Sequence, residues 1–166
     1  RDVTEQYGGD YHAAAVGEVN VTTRMKECGA LIGGEGNGGV IYPALHYGRD
    51  AMVGVALFLT NLAYRKMKVS ELRRTYPEYV IAKNKIELSD NSLIDRILEA
   101  VKAEYAAEDV NTVDGVKISF ESRKEWVHLR RSNTEPIIRI YAEAADQKAA
   151  DSLAQQIISI ARRIIG

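Results

Sequence analysis

Val116, Ile118 and Phe120 alternate with Lys117 and Ser119, and this period of two commits the segment to a strand that buries one side only. Such a strand must lay its apolar side on another layer. Two flanking segments supply that layer. With Ser92 as its cap, a helix runs to about Ala106 and turns Leu93, Ile94, Ile97, Leu98 and Val101 inward. Asp146 starts a second helix, whose apolar stripe is Ala150, Leu153, Ile157, Ile160 and Ile164. Residues 79–88, 126–130 and 137–144 read as three more strands. The order β-α-β-β-β-α predicts an α+β domain, a four-stranded antiparallel sheet with two helices on one face.

The N-terminal part reads differently. Of the 13 glycines, all but Gly115 and Gly166 precede Lys68. We expect residues 1–66 to form one unit, 67–77 a linker and 78–166 the second unit. In the first unit, residues 19–28 fit a short helix, and the apolar runs 30–32 and 40–42 fit short strands. Asp50 is placed to cap a helix over 51–66, with Met52, Val55, Ala56, Leu59, Leu62 and Ala63 on one face and Arg65 and Lys66 at the C-terminal dipole. This is an α/β pattern with too few strands for a complete doubly wound sheet, so the unit is expected to be an incomplete α/β domain.

Composition narrows the function. The 166 residues carry 22 Lys and Arg against 23 Asp and Glu, a net charge of -1. That balance argues against a nucleic-acid or membrane-surface binder, and leaves room for a local basic pocket. Cys28 is the single cysteine, so an intrachain disulfide and a Cys₄ or Cys₂His₂ zinc site are excluded, and a reducing, cytoplasmic setting is expected. No apolar run is long enough to span a bilayer, and the chain begins with Arg1, which suggests a fragment. His12, His46 and His128 have no partners at metal or triad spacing, and no Asp-x-Asp cluster offers a Mg²⁺ cage.

Two loops offer chemistry. Gly33-Gly34-Glu35-Gly36-Asn37-Gly38-Gly39 puts five glycines around one carboxylate and one amide. A close-approaching backbone with those two side chains suits sugar hydroxyls, since the carboxylate accepts and the amide both donates and accepts. The run also fits a flexible turn, and it matches neither a P-loop nor a dinucleotide fingerprint. Arg130-Arg131-Ser132-Asn133-Thr134-Glu135-Pro136 gathers guanidinium, hydroxyl, amide and backbone N–H donors, the inventory for a phosphate. Strand alternation sends Arg130 and Arg131 to opposite faces, so only one can join a pocket. A hairpin loop with a solvated basic edge is the other reading of this segment.

These loops, in this order and roughly a hundred residues apart, resemble the α-D-phosphohexomutase family, which includes phosphomannomutase/phosphoglucomutase and phosphoglucosamine mutase. Its third domain carries Gly-Glu-x-Ser-Gly-His, and its fourth Arg-x-Ser-Asn/Gly-Thr-Glu-Pro. Here Asn37 stands at the Ser and Gly39 at the His, departures that bear on which sugar is read. The resemblance spans residues 13–165, with Val16-Gly17-Glu18 ahead of the first loop and Asp50-Ala51 after it. It implies that Glu35, Asn37 and Gly38 bind sugar hydroxyls, and that Arg130, Ser132, Asn133 and Thr134 hold the phosphate that is not transferred. It implies phosphorylated hexoses or hexosamines as substrates, and hexose 1,6-bisphosphate as activator of the parent enzyme. The family's phosphoserine and Mg²⁺ loops belong to domains upstream. This chain, as the end of domain three plus domain four, is therefore expected to hold no catalytic or metal residue and to be inactive alone, with 67–77 as a hinge candidate. A non-catalytic phosphosugar-binding or regulatory module uses the same residues. An RNA-binding α+β domain is disfavoured by the charge and by the lack of paired strand aromatics.

Overall fold

Periodicity decides where each segment goes. The computed structural model describes residues 1–88, 90, 92–132 and 135–166. Its elements are α1 (Asp2–Gln6), α2 (Glu18–Cys28), β1 (Gly33–Glu35), β2 (Gly39–Ile41), α3 (Ala51–Arg65), α4 (Val69–Arg73), β3 (Val80–Glu87), α5 (Ser92–Glu104), β4 (Asp109–Asn111), β5 (Val116–Phe120), a 3₁₀ turn (Glu121–Arg123), β6 (Glu125–Arg131), β7 (Ile137–Ala144) and α6 (Gln147–Ile165). They divide into two compact units, Arg1–Pro77 and Glu78–Gly166.

In the second unit the sheet is antiparallel throughout, with order β3-β7-β6-β5-β4. It has five strands where the sequence suggests four. The added edge strand, Asp109–Asn111, holds one apolar residue, Val110, between Asp and Asn, types depleted in strands, so no alternation betrays it. Val116, Ile118 and Phe120 of β5, Val127 and Leu129 of β6, and Ile138, Ile140 and Ala142 of β7 are buried in one cluster with Ile94, Ile97 and Val101 of α5 and Leu153, Ile157 and Ala161 of α6. Both helices therefore cover the same face. The opposite face carries Lys117, Trp126, His128, Arg130, Arg139, Tyr141 and Glu143, placed there by the pairing register. Trp126 donates its indole N–H to Glu143 at 2.7 Å, and the Lys117 ammonium lies 4.5 Å from the Trp126 ring centre.

The helix starts follow capping chemistry. The Asp146 carboxylate accepts the Ala149 N–H, so Asp146 caps α6. Ser92 is the first residue of α5 rather than its cap; its N–H and hydroxyl both donate to Asp90.

The first unit departs further from the periodicity reading. Residues 30–32 form no strand; Leu31 and Ile32 are 85% and 56% exposed. The strands are made by the glycines: Gly33, Gly34 and Glu35 pair with Ile41, Val40 and Gly39. Helix α3 is where the Asp50 cap puts it, yet Met52, Val55 and Leu59 are exposed. The layer that meets α3 is the narrow β2, approached through Gly54, where an added Cβ would lie 3.1 Å from a Val40 methyl. Residues 67–77 contain α4, whose Leu72 is buried.

Leu129 is fully buried in the middle strand, paired with Ile140 on one side and Val116 on the other. Leu129→Ala is expected to destabilise the second unit by about 2–5 kcal/mol; denaturant titration checks this, and a loss below 1 kcal/mol contradicts the packing.

Candidate functional site

The first candidate loop is the tip of the β1–β2 hairpin. The Gly38 N–H donates to the Glu35 carbonyl at 3.1 Å, and Gly38 has φ +94°, a conformation glycine adopts without strain. A Cβ on Gly34 would lie 2.1 Å from the Gly39 carbonyl oxygen, so glycine there is a packing requirement of the ribbon. The Asn37 Oδ1 accepts the Gly39 N–H at 3.1 Å, which fixes the side-chain amide and leaves its NH₂ to donate elsewhere. One Glu35 oxygen accepts the Gly17 N–H at 3.1 Å, at the N-cap of α2, where the helix dipole favours a negative charge.

Asn37 and Gly38 line an open pocket of about 650 Å³ with Glu18, Arg49 and Asp50. Glu35 lies outside that lining, engaged with Gly17. Sequence reasoning did not single out Glu18 or Arg49 as site residues. Arg49 and Glu18 form an ion pair, Nε to Oε2 at 2.9 Å, and the Arg49 backbone N–H donates to Glu18 Oε1 at 3.3 Å. Their separation of 31 positions leaves no local signal; the hint in the sequence was Gly39 standing at the family's His. Asp50 Oδ1 accepts from the N–H groups of Met52 (2.8 Å) and Val53 (3.0 Å). His46 Nδ1 accepts from Gly48 N–H at 3.0 Å, so its Nε2–H donates to Asp50 Oδ2 at 3.2 Å. The Val53 N–H above all, then His46 and the Met52 N–H, hold the Asp50 carboxyl below its ordinary value against opposing desolvation.

The second loop leaves β6. Arg130 and Arg131 point to opposite faces. Arg131 Nη2 donates to Asp95 of α5 at 3.0 Å, on the helix side. Arg130 Nε donates to Asp114 Oδ1 at 3.0 Å on the other side, and His128 bonds the Asp114 carbonyl. Asp114 reaches them because Gly115 (φ +79°) passes so close to β6 that a Cβ would lie 2.1 Å from the Leu129 carbonyl oxygen. The loop closes with Ser132 N–H on the Ile137 carbonyl at 3.0 Å, and Ser132 is 9% exposed. Asn133 and Thr134 lie outside the described residues.

The register adds cations that sequence reasoning did not place. Arg130 stands directly opposite Arg139, and Arg139 opposite Lys85, so three cations form a row across β6, β7 and β3 beside the loop. Directly opposed like charges destabilise a ladder. Here Asp114, Glu135 (3.7 Å from Arg139) and Glu87 (2.7 Å from Lys85) offset part of that cost. The hydrogen bond that the Lys85 ammonium donates to Glu87 is the main reason that Lys85 titrates above its ordinary range.

Among the described residues, no three His, Cys, Asp or Glu side chains cluster to hold a metal ion, and no helix is long and apolar enough to cross a membrane. The donor set among the described residues does not fit Mg²⁺.

Known proteins carry the same two units. Residues 1–79 match the model of "Phosphoglucomutase/phosphomannomutase, alpha/beta/alpha domain III", and residues 84–160 match the model of the C-terminal domain of the same proteins. The phosphoglucosamine/phosphogalactosamine mutase of Sulfurisphaera tokodaii is 34% identical over 164 residues, 95% of this chain and 36% of that protein. The phosphoglucomutase/phosphomannomutase of Thermococcus kodakarensis is 35% identical over 151 residues, 90% of this chain and 32% of that protein. A crystal structure of a phosphoglucomutase/phosphomannomutase family protein from Burkholderia thailandensis aligns with a TM-score of 0.77 at 25% identity, covering 96% of this chain and 34% of that one. The chain belongs to the α-D-phosphohexomutase family, of which it represents the C-terminal part. It spans about a third of the length of these relatives.

The Asp50 cap gives a pH test. A carboxyl held below its ordinary value of 3.8 contributes stability above that value and loses it as pH falls through the lower folded value. The Met52 and Val53 amide signals are expected to titrate together with a midpoint below 3.8, and Asp50→Asn, still a good cap, is expected to abolish the titration. A wild-type midpoint at or above 3.8 contradicts the assignment.

Proposed function

We propose that these two units are the sugar- and phosphate-binding part of a longer phosphohexomutase, which moves a phosphoryl group between the 1- and 6-positions of a hexose or hexosamine phosphate. In the first unit Glu35, Asn37 and Gly38 read sugar hydroxyls: Asn37 through its NH₂, which has no partner among the described residues, Gly38 through its backbone, Glu35 through the oxygen not given to Gly17. In the second, Arg130, Ser132, Asn133 and Thr134 hold the phosphate that is not being transferred. Arg130 gives Asp114 its Nε, which orients the fork and leaves the terminal nitrogens for a bidentate bond to phosphate oxygens. Arg139 and Lys85 add field without needing contact.

The observation that carries this reading is the opposition of Arg130 and Arg139 at the loop. A sheet that places two guanidiniums face to face accepts a local cost, and a bound dianion removes it. The nucleophile, Mg²⁺ and the hexose 1,6-bisphosphate activator belong in this reading to other domains of the same protein. Those domains are then partners of this chain, which does no chemistry of its own, and the enzyme works in the cytoplasm. The names of the relatives, mutases of glucosamine, galactosamine, glucose and mannose phosphates, support a phosphosugar and leave the sugar to be measured.

Calorimetric titration of the chain with inorganic phosphate and with mannose 6-phosphate tests the reading. Arg130→Ala removes a charge-assisted bond worth about 1.5–3 kcal/mol, so binding of both ligands is expected to weaken about ten- to a hundredfold. Arg131→Ala, on the Asp95 side, is expected to change binding by less than about twofold. Equal losses in the two variants contradict the assignment.

A further inference from the structure

The first unit contains a cation that the family motif does not account for. The stem of Arg49 lies across Gly39: a Cβ on that glycine would meet Arg49 Cδ at 2.9 Å and Cγ at 3.3 Å. Gly39 pairs with Glu35 in regular register, and it is not among the glycines with positive φ. Its backbone therefore has no need of glycine, and the missing side chain serves to admit Arg49. Glu18 then forms an ion pair with the guanidinium on its Nε side and accepts a hydrogen bond from the Arg49 backbone N–H. The two terminal nitrogens have no partner among the described residues. The side chain remains 52% exposed, and it lines the pocket together with Asn37 and Gly38.

We propose that Arg49, oriented by Glu18, is a further sugar-binding residue that donates from its terminal nitrogens to an oxygen of the hexose ring. The inference rests on the phosphosugar reading above and extends it to a residue outside both loops. Three features select this ligand. A guanidinium has donors and no acceptor, so it complements an oxygen. Glu18 neutralises its charge, so a neutral hydroxyl suits this lone paired guanidinium, while a phosphate suits the row of three adjoining cations on the second unit, whose mutual repulsion its carboxylates offset only in part. The fork is already held, so little rotamer freedom is lost on binding. The pocket thus presents an amide donor from Asn37 and a two-pronged donor from Arg49 at fixed positions, an arrangement sensitive to whether a ring hydroxyl is axial or equatorial. Glu18 acts through Arg49 and is a positioning residue.

Two variants of the full chain separate the possibilities. Arg49→Gln removes the fork. Gly39→Ala keeps every charged group, introduces no backbone strain, and displaces the Arg49 stem. Affinities are measured for glucose, mannose and galactose 6-phosphates and for inorganic phosphate. Both variants are expected to weaken the best hexose phosphate about tenfold and to change the ratio of affinities among the three sugars at least threefold, with inorganic phosphate within twofold of the wild type. A merely structural role would lower all affinities together and leave the ratios alone, and that outcome overturns the proposal. So does wild-type affinity for all three sugars in either variant, or an equal loss for inorganic phosphate, which would make Arg49 an anion site. If the wild type binds inorganic phosphate but prefers none of the three sugars to it, the phosphosugar reading itself fails and the role of Arg49 fails with it.

Discussion

The register of the five-stranded sheet is the constraint on which the second unit depends. Side chains alternate along each strand, so one face can be apolar only if every strand is in step with its neighbours. Ile118 opposite Val127, Leu129 opposite Ile140 and Ala142 opposite Val127 lock that step under α5 and α6. A slip of one residue would send Arg130 under the helices and Leu129 into water. The same lock that buries the core therefore puts Arg130 opposite Arg139, and Arg139 opposite Lys85, on the other face. The charged row is a consequence of core packing, and the segment 130–136 that the sequence singles out begins at its end.

The first unit rests on a different constraint, the absence of side chains. Gly34 is required by the Gly39 carbonyl, Gly33 by the Met25 side chain, Gly38 by its positive φ and Gly39 by the stem of Arg49. Four glycines do four separate jobs within one short ribbon. A run that reads as loose on composition is thus closely specified in its contacts, and the pocket beside it is shaped by what those glycines let approach.

Strong periodicity made much of the fold legible. Strands β5 to β7 and helices α5 and α6 each carry an unmistakable apolar repeat, and Asp50 and Asp146 cap the helices that the sequence assigns to them. Elements without a repeat were not legible. Asp109–Asn111 joins the sheet as an edge with one apolar residue, and residues 30–32 look like a strand only because three apolar residues stand in a row. The site followed the same rule. Arg130 and Arg131 were separable by alternation, because a strand fixes the direction of its side chains. The Glu18–Arg49 grip, the Asp114 contact with Arg130 and the row through Lys85 join residues distant in sequence, and only the tertiary register brings them together.

The seat of a bound phosphate is the decisive measurement. Crystals of the chain grown with saturating mannose 6-phosphate would show it. Phosphoryl oxygens are expected within about 3 Å of the Arg130 terminal nitrogens and the Ser132 hydroxyl, with Arg131 still turned to Asp95. A phosphate seated on any other element, with Arg130 bound to Asp114 alone, would contradict it.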